Sequence, residues 1–370
     1  MKRVLVTGGY NIGKAGVATI VYRWGQNFDN NCIVYDYLMA RGLPDREYVE
    51  NIRQKGGNIL APEKTLHGIE KISWMQSVMK AGKYETIHIN IDVAYKAFVF
   101  IVLAKSAKIH NIVLHSHCAF IDDNNNLLRH VKTILHYLTR GYCIKNSKHL
   151  LACSKEAAEW MFGKKIVSKG GYIKIFNGLD LNVYKYDERL RKKYRTELGI
   201  SQKEYVLCNV GRFSYQKNHK ILVDIFEQYL KVNGNSKLAL IGNGELLDDV
   251  KKYVSSKNLE TKVLFLGQRN DVASLLSAMD IFVMPSRFEG LPLVLVEAQI
   301  AKLPCAIANT VSKESKISEY AEFISLDDID SWINIINKYK GVNRSKLEIK
   351  NVEQYSINDS ARILQKILSE

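Results

Sequence analysis

Proline is scarce, at 5 of 370 residues, and none of the 6 cysteines, at positions 32, 118, 143, 153, 208 and 305, forms a Cys-x-x-Cys pair. The first shortage excludes a collagen-like or polyproline chain. The second, with no histidines at zinc-finger spacing, excludes a zinc-stapled domain. We read the cysteines as reduced and mostly buried small hydrophobes rather than as a thiol catalyst. Long apolar runs are also missing. The longest near the middle, Ala97 to Ala104, falls far short of the roughly 20 residues that cross a bilayer. The apolar run after Lys2-Arg3 stops at Val6, too short for a secretory h-region, so a cytoplasmic location is expected.

Acidic residues are in deficit, 38 against 53 Lys and Arg, for a net charge of +15. The deficit is local. Residues 1–180 hold 25 basic against 14 acidic side chains, whereas 181–370 hold 28 against 24. Between Asp123 and Glu156 there is no acidic residue, while Arg129, Lys132, Arg140, Lys145, Lys148 and Lys155 are present. The first half therefore calls for an anionic partner: nucleic acid, an anionic membrane surface or a phosphorylated substrate.

With 46% hydrophobic and 25% charged residues, the chain has the composition of a globular protein of about two domains. Lys2 to Thr7 reads as a buried strand, followed by a Gly-rich turn and a helix from about Ala15 to Gln26. Apolar runs recur at Cys32 to Tyr35, Thr86 to Ile91, Asn111 to His115, His149 to Cys153 and Tyr172 to Phe176, with helix-length amphipathic stretches between them. That rhythm is βαβ, and the strands are expected to be parallel. Turn chemistry at Asn177-Gly178-Leu179-Asp180 and a charged stretch through Tyr194 mark a linker. A second series follows at Tyr205 to Val210, Lys237 to Ile241, Val263 to Leu266, Ile281 to Met284 and Cys305 to Ala308. The expected fold is α/β: two facing Rossmann-like, doubly wound domains over 1–180 and 186–350, with ligands in an interdomain cleft at the carboxyl ends of the strands. The terminal segment, 351–370, reads as a helix packing back onto the N-terminal domain.

Chemistry concentrates in the second series. In Phe288-Glu289-Gly290-Leu291-Pro292, the proline suits the first turn of a helix running to about Lys302, whose N–H groups would face an anion such as a pyrophosphate. Glu297 stands alone among Leu293, Val294, Leu295, Val296 and Ala298 and needs a hydrogen-bonding partner: a ribose diol, or a Lys or Arg elsewhere. Gly211-Arg212-Phe213-Ser214-Tyr215-Gln216-Lys217-Asn218 places two cations after the strand that opens the series, suited to a leaving diphosphate or to a solvated basic loop.

Together, Glu289 and Glu297 in a Glu-x7-Glu pattern, Gly-Arg-x4-Lys-Asn, Leu240-Ile241-Gly242-Asn243-Gly244-Glu245 and Asn177-Gly178-Leu179-Asp180 resemble a GT4-type retaining glycosyltransferase of the GT-B fold, from the branch of bacterial exopolysaccharide, capsule and O-antigen assembly. The resemblance implies that Glu289 contacts donor-sugar hydroxyls and Glu297 the ribose. Arg212 and Lys217 would hold the diphosphate, helped by the N–H groups of Gly290, Leu291, Leu293 and Val294. Arg269, in Gly267-Gln268-Arg269, would lie along the base, and Gly13 and Gly16 would let the backbone approach donor phosphate or acceptor. A first-domain histidine would stand near the transferred sugar; His117 is the choice, with His115 as runner-up or structural histidine. The resemblance further implies a nucleotide sugar as donor, a UDP-sugar by family frequency, a lipid-linked oligosaccharide acceptor, and neither metal nor cofactor.

Other readings compete. Gly8 to Lys14 fits Gly-x4-Gly-Lys after a strand, but Ala15 replaces the Ser or Thr that would ligate Mg²⁺ in a P-loop NTPase. Thr7-Gly8-Gly9 lacks the Gly-x-Gly-x-x-Gly spacing of a dinucleotide site. Asp328-Ile329-Asp330 matches a metal-binding Asp-x-Asp but precedes a helix, where capping accounts for it better. Charge alone suggests nucleic acid, yet no known helix-turn-helix signature or aromatic-basic platform is present, and no nucleic-acid partner is expected. Leu127, Leu128, Val131, Ile134, Leu135 and Leu138 fall at helical spacing. They form either the core-facing side of an amphipathic helix or, with its basic residues, a surface resting on the anionic inner leaflet.

Overall fold

The computed structural model describes residues 1–8, 12, 16–40, 43–118, 120–121, 125–289, 291–350 and 352–370. It divides into two compact units: Met1–Leu179 with Glu353–Glu370, and Asp180–Val352. Among the described residues no helix is long and apolar enough to cross a membrane.

The apolar runs of the first unit become strands β1 (Lys2–Val6), β2 (Ile33–Leu38), β3 (Ile59–Leu60), β4 (Thr86–Ile91), β5 (Asn111–Ser116), β6 (His149–Ala152) and β7 (Ile173–Lys174). They pair in the order β3-β2-β1-β4-β5-β6-β7, every neighbour parallel. Helices cover both faces of such a sheet, so its central strands can be apolar on both sides; β5 is buried at every residue. Leu5, Ile87, Ile89, Leu114 and Ile101 share one core. The segment from Glu353 belongs to this unit. Its helix, Ile357–Ser369, packs on the helix Gly16–Asn27, and the Trp24 indole donates to Ser360 Oγ at 3.0 Å. Gly178 admits that helix: a Cβ there would lie 2.5 Å from Ile357 Cα.

The second unit repeats the plan with β8 (Tyr205–Val210), β9 (Ser236–Ile241), β10 (Val263–Gly267), β11 (Ile281–Met284), β12 (Cys305–Ala308) and β13 (Ala321–Ile324), ordered β10-β9-β8-β11-β12-β13 and again parallel. Asp280 fastens the central pair. Its carboxylate accepts from the Val206 N–H at 2.7 Å and pairs with Arg191 at 2.7 Å and Arg195 at 3.2 Å.

The two-domain α/β expectation holds, with corrections. Strands β3 and β13 are edge strands absent from the sequence reading. The helix after Pro292 runs only over Leu293–Ile300, with Pro292 as its cap rather than its first residue. The helix Asn126–Lys145 overturns the core-facing alternative: Leu127, Leu128, Val131, Ile134, Leu135 and Leu138 are all exposed, and its buried residues are His136 and Cys143. Four of the six cysteines are buried, and burial pushes the Cys143 and Cys153 thiols up to about 12.

Candidate functional site

Strand order reverses in each sheet beside its first strand, between β1 and β4 and between β8 and β11. Adjacent loops diverge there and leave a crevice at the carboxyl ends. Lys217 and Glu289 follow β8 and β11, and His117 follows β5 in the first unit.

In the second unit, two motifs that are distant in sequence make one structure. The Gly211 N–H donates to the Ile241 carbonyl at 2.9 Å, Phe213 N–H to Asn243 at 3.0 Å and Leu246 N–H back to Phe213 at 2.9 Å. Side chains would not fit. At Gly242, where φ is +140°, a Cβ would lie 2.0 Å from the Gly211 oxygen, and at Gly244 it would lie 2.5 Å from the Phe213 oxygen. The Lys217 stem crosses Gly211, whose Cβ would stand 3.1 Å from Lys217 Cε. Asn218, in the left-handed region at φ 57°, then starts the helix His219–Val232.

The same loop is tied to the one after β11. The Arg287 N–H donates to the Gln216 carbonyl at 2.8 Å, Gln216 Nε2 to Phe288 at 3.1 Å, and Asn218 Nδ2 to Pro285 at 3.2 Å. These bonds bring Lys217 Nζ to 2.6 Å from Glu289 Oε1, with the side chains only 13% and 8% exposed. A nearly dry ion pair thus stands between β8 and β11. The helix Leu293–Ile300 starts a few residues on, and the N–H groups of Leu293 and Val294 lie in its first turn, where no intrahelical carbonyl reaches them. Leu291 is buried beside this turn.

The remaining second-unit candidates have other partners. Arg212 is 65% exposed and pairs with Glu245 at 3.0 Å. Glu297 is half-buried, and its Oε1 accepts from the Tyr184 hydroxyl at 2.8 Å, so a neutral donor meets it here. Arg269 follows the edge strand β10 and makes a two-pronged contact with Asp271, 2.8 and 2.6 Å, which also accepts from the Tyr194 hydroxyl at 3.0 Å. The structure holds it there, not in the Lys217–Glu289 pair. Asp328 caps the helix Ile329–Lys338, accepting from the Ser331 N–H at 3.0 Å.

In the first unit, the carboxyl ends of β1, β4 and β5 assemble a histidine cluster. His115 is fully buried, stacked 5.1 Å from Trp24, and its Nδ1 lies 3.1 Å from His88 Nε2. His88 Nδ1 in turn meets the Tyr35 hydroxyl at 2.5 Å. These contacts hold His115 inside the unit, with its Nε2 buried and without a hydrogen-bond partner among the described residues. His117 is half-buried one step beyond the sheet, with Nε2 2.9 Å from Asn90 Oδ1 and Nδ1 3.2 Å from Asn177 Oδ1. Asn90 Nδ2 donates to the Thr7 and His88 carbonyls at 3.2 and 3.4 Å, so its oxygen faces His117. Each ring nitrogen thus faces a side-chain oxygen, and Nε2 makes the shorter contact. Burial lowers the His117 pKa to about 4, against the opposing hydrogen bond that the ring donates to Asn177 Oδ1, and holds His88 and His115 well below the ordinary value. Gly8, at φ +90°, closes the cluster; a Cβ there would stand 3.0 Å from Asn90 Cβ.

Sequence reasoning missed Asn90, Asn177 and Tyr184 as partners of the chosen residues. Asn177 lay inside a quoted motif, and only its contact with His117, 60 positions earlier, gives it a role. Gly16 begins its helix in open space. Gly13, Gly290, Lys14 and Ala15 lie outside the described residues, and with them the loop on which the NTPase reading rested.

Residues 191–339 match the family model for glycosyl transferases group 1. EpsF of Bacillus subtilis (strain 168), which carries a glycosyltransferase name, is 27% identical over 94% of this chain and 90% of its own. The Escherichia coli UDP-Gal:alpha-D-GlcNAc-diphosphoundecaprenol alpha-1,3-galactosyltransferase is 36% identical over 43% of each chain. Among solved structures, Anabaena HepE in complex with UDP and glucose superposes with a TM-score of 0.76 over 100% of both chains at 17% identity, a likeness of fold.

Proposed function

We propose that this chain, which belongs to the glycosyl transferases group 1 family, moves a hexose or hexosamine from a nucleotide sugar to a lipid-linked glycan acceptor in cell-surface polysaccharide assembly. The transfer retains anomeric configuration and uses no metal ion. The observation that carries the reading is the Lys217–Glu289 pair, held at 2.6 Å between the two central strands of the second unit. A sugar diphosphate presents both chemistries this pair can serve. Its phosphate oxygens take the Lys217 ammonium and the first-turn N–H groups of Leu293 and Val294, and its sugar hydroxyls donate to the Glu289 carboxylate. Arg212 adds a second cation on exchanging Glu245 for phosphate. Glu297, oriented by Tyr184, accepts from the two ribose hydroxyls.

In the transfer the bond from the anomeric carbon to the diphosphate oxygen breaks, and the acceptor hydroxyl oxygen bonds to that carbon from the same face. The hydroxyl proton passes to the departing diphosphate, whose charge Lys217 offsets. Positioning and charge stabilisation supply the catalysis. A double displacement needs a carboxylate close behind the anomeric carbon, and no residue is assigned that part. Neutral His117, with its partners Asn90 and Asn177, serves as a hydrogen-bonding group for the transferred sugar.

The uracil nucleotide in HepE and the UDP-galactose in the name of the E. coli relative support UDP as the carrier, and the diphosphoundecaprenol in that name supports the lipid-linked acceptor. Such an acceptor places the enzyme peripherally on the inner face of the cytoplasmic membrane. The test is a thermal-shift panel of UDP, GDP, dTDP and ATP, each with Mg²⁺ and with EDTA. At a hundred times its Kd, a nucleotide adds about 2.7 kcal/mol of stability. Stabilisation by UDP in EDTA is expected. Stabilisation by ATP with Mg²⁺ alone would overturn the reading.

A further inference from the structure

We propose that Asp92 and Trp160 of the first unit bind the sugar of the acceptor, the carboxylate taking its hydroxyls and the indole its C–H face. The inference rests on the transfer reading above and deepens it, since Lys217 and Glu289 serve the donor alone.

Strands β4 and β5 run in register, Asn90 opposite His115 and Ile91 opposite Ser116, so the next residues, Asp92 and His117, leave the sheet side by side at its carboxyl end. Asn90 already meets the His117 ring at 2.9 Å. Asp92 has no such partner: its Oδ1 is buried and without a hydrogen bond among the described residues. Burial raises the pKa of this carboxyl, and the Lys96 charge opposes that only in part. Capping of the helix Ala94–Ser106 does not account for it. Val93 is the cap residue, and the first helical N–H, that of Ala94, donates to His136 Nδ1 at 3.0 Å. Nor does a metal, since among the described residues no three His, Cys, Asp or Glu side chains gather to hold one. A carboxylate oxygen buried without a donor is costly, and it marks a place where a ligand supplies the donor.

The neighbour of that carboxylate selects the ligand. Trp160, in the helix Lys155–Phe162, donates its indole N–H to the Asp92 main-chain oxygen at 2.9 Å. Its ring stacks on His136 at 4.0 Å with the planes 17° apart. Because His136 Nδ1 accepts from Ala94, the Nε2 of the neutral ring donates to the Trp160 carbonyl, at 3.1 Å. His136 is fully buried, so these contacts fix the indole in advance, whereas Trp160 itself is only half-buried. A fixed, partly open indole next to an unsatisfied carboxylate suits a molecule with an apolar face and a rim of O–H donors, and a pyranose has both. An aliphatic ligand would leave Oδ1 without a donor, and an anion would meet the Asp92 charge. Glu289 and His117 are assigned to the transferred sugar, which leaves the acceptor's sugar for Asp92.

The experiment is a binding titration of the full chain by saturation-transfer NMR. The acceptor probes are glucose, galactose, N-acetylglucosamine and N-acetylgalactosamine, each joined through a diphosphate to a short alkyl chain; the donor probes are UDP and UDP-galactose. The parent should show transfer to the sugar ring of at least one acceptor probe. Asp92→Asn should weaken that Kd about tenfold to a hundredfold, the loss of hydrogen bonds to a charged group, and Trp160→Leu about tenfold. Both variants should bind UDP and UDP-galactose within about twofold of the parent. Asp92→Asn should also melt no lower than the parent, because it removes a charge that burial disfavours. Undiminished acceptor binding by Asp92→Asn, or a parent that binds none of the four acceptor probes, overturns the proposal. So does a marked fall in the Asp92→Asn midpoint, because the carboxylate is then structural, or weakened binding of UDP-galactose alone, because the site then serves the transferred sugar. Absence of UDP binding by the parent counts against the transfer reading, while acceptor-probe binding that depends on Asp92 still upholds the sugar site.

Discussion

Replacing Lys217 with Met keeps the stem that lies across Gly211 and removes the charge. Glu289 then holds a carboxylate, 8% exposed, without the ammonium that stood 2.6 Å away. Taking one partner from a buried ion pair costs about 3–5 kcal/mol, because the remaining charge stays desolvated. The slight exposure of both groups puts the expectation at the lower end, about 3 kcal/mol. For a unit of this size, each kcal/mol moves the midpoint by about 2–4 °C, so the second unit's transition should fall by about 6–12 °C. Calorimetry is the appropriate assay, because two units need not unfold as one transition. A second variant separates stability from chemistry. Lys217→Met with Glu289→Gln leaves no orphaned charge, and more than half of the lost stability should return. Activity should not. With neither the diphosphate cation nor the sugar-binding carboxylate, turnover should remain down by about a hundredfold to a thousandfold, the usual loss on deleting one preorganised electrostatic group. If the single variant melts within about 2 °C of the parent, or the double variant melts no higher than the single, the pair is not the desolvated element argued here.

Acid should loosen the first unit. The His117 pKa is lowered to about 4 by burial, below the unfolded value near 6.5, so the unfolded chain binds more protons between those values and stability falls with falling pH. The loss due to His117 is on the order of 3 kcal/mol by pH 4, and His88 and His115, lowered by the same cause, add to it. Calorimetry from pH 7.5 to pH 4.5 should show the first unit's transition moving down, and a flat profile would refute the neutral cluster. Gly242→Ala should prevent folding of the second unit, because its Cβ would lie 2.0 Å from the Gly211 oxygen at φ +140°. Gly267→Ala, at φ +65° with nothing within 4 Å, should cost only about 1–2 kcal/mol. Circular dichroism and melting of the two variants compare a steric cost with a conformational one, and equal losses would contradict the backbone packing described.

Much of the fold was legible because strands buried on both faces are written as short runs rich in Ile, Val and Leu between turn signals. Thr86–Ile91, Tyr205–Val210 and Ile281–Met284 were each found at their full extent. Two of the four edge strands were not. Ile59–Leu60 has two half-buried residues, and Ala321–Ile324 carries Glu322 in its middle, so neither reads as a continuous apolar run. The candidate site divides in the same way. Glu289 and Lys217 were found by motif, but what makes them a pair is the adjacency of β8 and β11, and no local pattern encodes that β8 skips two later strands to reach it. Asn90 was invisible for the same reason: it meets His117 only because β4 and β5 are neighbours in register, with Asn90 opposite His115.

The helix Asn126–Lys145 shows where pattern reading stops in principle. Periodicity determines which residues share a stripe, and the stripe from Leu127 to Leu138 was read correctly. It says nothing of which way the stripe points, because rotating a helix by half a turn leaves every spacing unchanged. Direction is decided by what the neighbouring elements can accept. Here the packed side offers Ala94, whose N–H takes His136 Nδ1 at 3.0 Å and whose carbonyl meets Cys143 Sγ at 3.4 Å. The Trp160 ring stacks on His136 at 4.0 Å. His136 and Cys143 satisfy that surface, and a row of leucines would leave the Ala94 N–H without an acceptor, at a cost of about 1–3 kcal/mol. The helix is therefore held by its His136 and Cys143 side, and the stripe from Leu127 to Leu138 faces outward. Substitutions on the outward stripe should disturb little packing: Ile134→Asp with Leu138→Asp, at positions 59% and 74% exposed, should leave the melting profile as in the parent, and a marked fall in the midpoint would show that the stripe is packed after all.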